Sequence, residues 1–174
     1  MKKAFLLFAF CCCALLSNAQ TRNTVYLELL GKNIMGPAIL YERNPNSKKN
    51  LSLHYGAGVG AINDFNDEWH PSLPLFVGGN LGKKNNKFEF GLAGAVTTKD
   101  YFETSSDECY DCLGPNDQSI IVPLTLYLGF KHYPKKGKGF FYHANAQPIV
   151  ITNSFIPVIP WFGLGIGYST QTRR

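Results

Sequence analysis

The sequence predicts an all-β protein, an eight-stranded antiparallel up-and-down transmembrane β-barrel. Three observations carry that prediction. From Ile121 to Lys131, Val122, Leu124, Leu126, Leu128 and Phe130 alternate with Pro123, Thr125, Tyr127, Gly129 and Lys131. Such period-two alternation marks a β-strand, and the stretch is about as long as a tilted strand needs to cross a bilayer. The same device recurs along the chain, where 17 Gly and 10 Pro favour strands and turns and no helical period stands out. Finally, charge is sorted by connection, basic at one end of the strands and acidic at the other.

The chain opens on a segment outside the fold. Lys2 and Lys3 precede the apolar run Ala4 to Leu16, and Ser17, Asn18 and Ala19 supply small residues for cleavage. This is the pattern of a secretory signal peptide over residues 1–19, too short for a spanning helix. Gln20 to Arg174 then forms one domain. Lipidation at Cys11, Cys12 or Cys13 is the rival reading, but Phe10 is bulky for a lipidation site and the apolar run before it is short. No later run of 18 apolar residues offers a transmembrane helix. Losing Lys2 and Lys3 lowers the formal net charge of +5 by two, too modest a surplus to point to nucleic acid.

Strand one is read over Thr24 to Gly31, with Val25, Leu27 and Leu29 alternating against Tyr26, Glu28 and Leu30. A short connection, Lys32 to Met35, leads to strand two, Gly36 to Arg43. Asn44 to Asn50 is a polar turn. Strand three, Leu51 to Gly60, sets Leu51, Leu53, Tyr55, Ala57 and Val59 against Ser52, His54 and glycines. A loop from Ala61 to Ser72 precedes strand four, Leu73 to Leu81, and Gly82 to Asn86 is a tight turn. Strand five, Lys87 to Thr97, alternates Phe88, Phe90, Leu92 and Val96 with Lys87, Glu89, Gly91, Ala93 and Ala95. The long loop Thr98 to Ser119 leads to strand six, the Ile121–Lys131 stretch. Strand seven, Phe140 to Val150, opposes Phe140, Tyr142, Ala144 and Ala146 to Phe141, His143, Asn145 and Gln147. Strand eight, Val158 to Ser169, alternates Phe162, Leu164, Ile166 and Tyr168 with Trp161 and glycines. Eight strands suffice to close a barrel whose interior is filled by side chains.

The face opposite the apolar one decides between lipid and a soluble core. In strands three, five and eight it is mainly Gly, Ala and Ser, residues that suit the crowded inside of a narrow barrel. Leu, Phe and Val then point outward to hydrocarbon, where closure satisfies every backbone donor and acceptor. Tyr41, Phe88, Phe130, Phe140, Tyr142, Phe162 and Tyr168 fall near strand ends, as interfacial girdles require.

Charge sorting is an independent argument. Arg43, Lys48, Lys49, Lys83, Lys84, Lys87, Lys131, Lys135, Lys136 and Lys138 sit at or beside the even-to-odd turns. Asp64, Asp67, Glu68, Asp100, Glu103, Asp107, Glu108, Asp111 and Asp117 sit in loops at the other end. A soluble sandwich has no reason to sort charge in this way. In outer-membrane barrels short turns face the periplasm and long loops face outside, which places both termini and the Lys-rich turns in the periplasm.

On these residues the chain resembles the small, single-domain, eight-stranded outer-membrane β-barrel proteins of Gram-negative bacteria, of Bacteroidota type. The likeness covers Thr24 to Tyr168. It rests on Val25-Tyr26-Leu27-Glu28-Leu29-Leu30-Gly31, on Leu40-Tyr41-Glu42-Arg43 and on the Gly-alternating last strand. It implies residence in the outer membrane, contact with its lipid and lipopolysaccharide, and insertion by the barrel-assembly machinery. Barrels of this family usually end on an aromatic residue, whereas Tyr168 is followed by six further residues.

The polar residues are weighed against that frame. Glu28, Glu42, Lys87, Glu89, Lys131, His54 and His143 all project to the lumen and are expected to pair as a polar cluster, since an unpartnered buried charge is costly. A catalytic reading gives His143 and a lumen carboxylate acid–base work, as in lipid-modifying barrel enzymes, but no Ser/His/acid order supports it. Asp64, Asp67, Glu68 and His70 are weak candidates for a divalent cation; they match no calcium-loop spacing. Cys109 and Cys112 read as a disulfide stapling their loop in an exported protein. Trp69 and Trp161 are expected to anchor at the outer interface, while Phe76, Tyr127 and Trp161 can also pack inward over the glycines. No cofactor is expected. The sequence therefore predicts a monomeric outer-membrane barrel, not an enzyme, with a structural, adhesive or ligand-binding role exercised through its extracellular loops. A lipid-modifying enzyme and a soluble lipocalin-like carrier of an apolar ligand are the alternatives.

Overall fold

The computed structural model describes residues 21–34, 36–45, 47–63, 69–98, 120–121, 124–150 and 158–172. The signal-peptide segment, Asp64, Asp67, Glu68 and the whole 99–119 stretch with Cys109 and Cys112 lie outside the described residues. Those that are described form strands and turns, with no helix among them. The strands are β1 (Thr21–Leu29), β2 (Ala38–Asn44), β3 (Leu51–Asn63), β4 (Trp69–Leu81), β5 (Asn86–Thr98), the two-residue β6 (Ile120–Ile121), β7 (Leu124–His132), β8 (Lys138–Val150) and β9 (Val158–Thr172).

Every pairing is antiparallel, and the eight long strands join neighbour to neighbour. The sheet closes where β1 meets β9, from Thr21↔Thr172 to Leu29↔Leu164. Closure removes the open edges that would otherwise invite another chain to pair. The short β6 keeps the register of β7 against β5, with Thr97↔Ile121 followed by Gly94↔Leu124. The sixth strand of the sequence reading is thus these two pieces, and 122–123 between them lie outside the described residues. Among the described residues, the β7–β8 ladder runs only from Leu128↔Ala146 to His132↔Tyr142. Pro148, which has no N–H to donate, stands just beyond its end.

Several strands are longer than the apolar alternation suggested. β1 starts at Thr21, β4 at Trp69, and β9 ends at Thr172. Backbone pairing needs no apolar side chain, so Arg22 and Asn23 pair with Gln171 and Thr170. The predicted Ala61–Ser72 loop shrinks for the same reason: Asn63↔Trp69 and Ile62↔His70 extend the β3–β4 hairpin. Conversely, the first strand stops before Leu30 and Gly31, which turn left-handed at φ +62° and +82°. The second strand begins at Ala38 rather than Gly36.

The faces are inverted relative to a water-soluble barrel. Leucines, valines and aromatics point outward on all the long strands; Leu124 is 74% exposed and Phe140 77%. Inside lie Tyr26, Leu40, Phe76, Tyr127, Tyr133 and Phe141, together with buried Glu, Lys, His, Asn and Gln. Glycines on the inner face make room for the rings. A Cβ at Gly78 or at Gly91 would each fall 2.5 Å from the Tyr127 hydroxyl, and one at Gly56 would strike the Phe76 ring. The inward packing of Phe76 and Tyr127 expected from the sequence is therefore what the fold contains.

Candidate functional site

The polar core of the barrel is assembled from strands that are not neighbours. Glu28 comes from β1, Glu42 from β2, His54 from β3, Glu89 from β5, Lys131 from β7 and His143 from β8. Each occupies an inward position of its strand, and all are buried. Lys131 is the centre. Its Nζ lies 2.5 Å from Glu42 Oε2 and 2.8 Å from Glu89 Oε2. The Tyr133 hydroxyl donates to the other Glu42 oxygen at 2.9 Å. Burial, followed by the adjacent Glu42 carboxylate, pushes the Tyr133 hydroxyl well above its ordinary pKa, so it remains a donor.

His143 continues the chain of contacts. Its Nδ1 is 3.2 Å from Glu89 Oε1, and its Nε2 is 3.7 Å from Glu28 Oε1. Asn145 Nδ2 donates to the same Glu28 oxygen at 2.6 Å. The imidazole packs edge-on against Tyr26 and face-on against Phe141, with centroids 4.9 and 5.5 Å apart. His54 shares a 2.7 Å hydrogen bond with the Tyr127 hydroxyl and lies 3.9 Å from Glu89. Acid and base thus alternate along Glu28, His143, Glu89, Lys131 and Glu42. Low dielectric makes each such contact strong and each missing partner costly.

The sequence reading missed one principal member. Lys32 was placed in a simple connection between the first two strands, yet that connection folds into the barrel mouth. The Lys32 ammonium is buried 3.5 Å from Glu89 Oε2 and 3.7 Å from Glu28 Oε1. It faces the rings of Tyr127, Phe76 and Tyr26 at 4.7, 5.2 and 5.9 Å, a cation–π environment. The backbone around it is fixed on several sides. Ile34 N donates to Gly31 O at 2.7 Å, and Gln147 Nε2 donates to the same carbonyl. Asn33 bonds to Pro37 O, Ala61 O and Ser72 Oγ. Ile34 holds φ +62°, a conformation costly for a β-branched residue.

Of the two places the sequence allows Trp161, the outer interface or the interior beside Phe76 and Tyr127, it takes the inward one, and its Nε1 donates to Ile34 O at 2.6 Å. It pins the inturned connection. Trp69, by contrast, is 59% exposed on the outer surface. Lys87 is buried as expected but does not join the cluster; its Nζ donates to Lys49 O at 2.7 Å, at the turn end of the barrel.

Chemically, this interior is a cross-brace. Three carboxylates face two ammoniums and two imidazoles. Glu42, His54 and Glu89 offer ligand atoms within 4.8 Å of one another, yet the Lys131 ammonium already bridges both carboxylates where a cation would sit. The loop cation candidates are split: Asp64, Asp67 and Glu68 lie outside the described residues, and His70 is nearly buried at 9% exposure in the β3–β4 hairpin.

Neither the known protein-family models nor the curated proteins include one that matches this chain. Among solved structures it is similar to the N-terminal β-barrel domain of OprF from Pseudomonas aeruginosa. The identity is 13% and the TM-score 0.48, over 87% of this chain and 98% of that one. The closed, eight-stranded architecture is established by the strand pairing itself.

Proposed function

We propose that the chain is an outer-membrane-spanning β-barrel with a structural, adhesive or ligand-binding role exercised through the connections read from the sequence as Ala61–Ser72 and Thr98–Ser119. One observation carries this reading: an outer surface of exposed Leu, Val, Ile and aromatics encloses a buried polar interior whose carboxylates face ammoniums and imidazoles. Water would penalise that surface at about 25 cal/mol per Å² of apolar area, whereas hydrocarbon favours it and closure pairs the strand edges that hydrocarbon could not solvate. The basic turns are assigned to the periplasm and the acidic connections to the outside, and the protein is exported by its signal peptide. Outer-membrane lipid and lipopolysaccharide surround it, the barrel-assembly machinery inserts it, and it acts as a monomer.

The two alternatives fit the interior less well. A carrier of an apolar ligand needs an apolar hollow, and the centre of this barrel is filled by Glu, Lys, His and Tyr side chains. A lipid-modifying enzyme would need His143 within reach of substrate, and both of its ring nitrogens face carboxylates deep inside. We therefore assign no catalysis.

Fractionation followed by gel mobility with and without boiling tests the reading. Recovery in the outer-membrane pellet as a heat-modifiable band is the expected result. Release into the soluble periplasm as a conventional band would overturn it.

A further inference from the structure

Every acidic side chain among the described residues lies inside the barrel: Glu28, Glu42 and Glu89. The other acids fall at 64–68 and 100–117, in connections that strand parity assigns to one end. At the opposite rim the exposed charges are all positive. Lys48 and Lys49 lie in the β2–β3 turn, Lys83 and Lys84 in the β4–β5 turn, and Lys135 and Lys136 in the β7–β8 turn. Around the closed sheet these turns fill three of the four gaps at this end, the fourth lying where β9 meets β1, so the cations are not gathered on one side. The cations form a ring with one gap.

Directly beside that ring runs a belt of outward-facing aromatics. Phe88 faces Phe130 across β5 and β7, and Phe140 faces Tyr168 across β8 and β9. Tyr55 pairs with Arg43 next to the β2–β3 turn. All of these rings are exposed. Aromatic belts settle at the headgroup level of a bilayer, and lysine stems run along apolar surface while their ammoniums stay in water. The ring of ammoniums is thus set at phosphate height, one step beyond the belt.

We propose that this rim binds anionic phospholipids of the leaflet at the turn end, through the phosphodiester of the headgroup. The inference rests on the membrane reading above. Three features select the occupant: the charge is of one sign, it is unneutralised by any described surface acid, and it runs round the barrel but for one gap. A single globular partner would meet one side of the rim, whereas an annulus of lipid meets all of it. Each basic residue close to an anionic lipid surface strengthens binding about fivefold.

The test uses the mature chain refolded in neutral detergent and offered equal amounts of phosphatidylglycerol and phosphatidylcholine with the same acyl chains. Native mass spectrometry counts the lipids retained. The folded wild type is expected to retain phosphatidylglycerol about tenfold over phosphatidylcholine, and to lose most of that preference in about 1 M salt, where screening acts within about 3 Å. A variant with the six turn lysines changed to glutamine should remain heat-modifiable and retain both lipids alike, while the six-arginine variant keeps the preference. Equal retention by the folded wild type would overturn the proposal. Displacement of phosphatidylglycerol by equimolar inorganic phosphate would overturn it too, since the rim would then be a general anion site. The salt dependence of the wild type decides the matter even where the glutamine variant does not fold. A wild type that stays soluble without detergent would sink the membrane reading and this inference together; a membrane-inserted barrel without lipid preference sinks only this one.

Discussion

Lys131 on β7 and Glu42 on β2 meet at 2.5 Å across the lumen, although they stand 89 positions apart and their strands are not neighbours. Backbone ladders join each strand only to the next, so this contact is a strut through the interior. Glu89 on β5 takes the same ammonium at 2.8 Å, which makes Lys131 the joint between three strands.

Changing Lys131 to methionine keeps most of the volume and removes the charge. Two fully buried carboxylates then face each other without their shared partner, and breaking a buried pair in this way costs about 3–5 kcal/mol. The expected outcome is a large fall in the urea midpoint of the barrel refolded in vesicles. Adding Glu42→Gln to Lys131→Met should recover part of the loss, because one stranded charge is removed. A double variant as unstable as the sum of the two singles would mean that the pair does not act as a unit.

Gly165 lies against His143. A Cβ there would press directly on the imidazole, which is held between Tyr26 and Phe141 and has little room to yield. Gly165→Ala should destabilise the barrel by about 1–3 kcal/mol, the usual cost of overpacking. His143→Ala opens the space the new methyl needs. The double variant should therefore be more stable than additivity of the two single losses allows, as read from denaturant midpoints.

Trp161 and Ile34 give a probe of the inturned connection that leaves the charges untouched. Trp161→Phe removes the indole N–H that holds Ile34 O at 2.6 Å, a loss of about 1 kcal/mol in global stability. Locally the effect should be larger. Amide exchange at Ile34, whose N–H is bonded to Gly31 O, is expected to accelerate while amides in β5 keep their protection. Unchanged exchange at Ile34 would mean that the other hydrogen bonds of the connection hold it alone.

These sites differ in how far they could be read from the chain. The inward or outward aim of Glu28, Glu42, His54, Glu89, Lys131 and His143 follows from period two alone, because one residue of shift moves a side chain to the opposite face. Which of them touch does not follow, since contacts across a lumen depend on closure and on the stagger of strands that are remote in sequence. Lys32 escaped for a different reason. It lies in a connection, where no period exists, and its entry into the barrel depends on left-handed turns at Leu30, Gly31 and Ile34. One signal was available: the inward positions held more carboxylates (Glu28, Glu42, Glu89) than ammoniums (Lys87, Lys131), and Lys32 is a cation close by in sequence. Trp161 is inward by period and interfacial by residue type, and the fold takes the inward place. Register was the better guide.

The outward face offers the most direct check on what surrounds the barrel. Leu128 lies at the middle of β7 and is 55% exposed, while Leu51 begins β3 beside the basic turn and is 60% exposed. By exposure alone the two are equivalent, and in water an arginine at either would cost little. In a bilayer they differ by depth: arginine costs about 2–4 kcal/mol at the midplane and about 0–1 kcal/mol near the interface. Leu128→Arg is therefore expected to destabilise the barrel in vesicles by several-fold more than Leu51→Arg, measured from urea titrations under one set of conditions. Thinner bilayers should narrow the gap, because the midplane then lies closer to water. Equal and small losses at both positions would mean that this apolar surface does not sit in hydrocarbon.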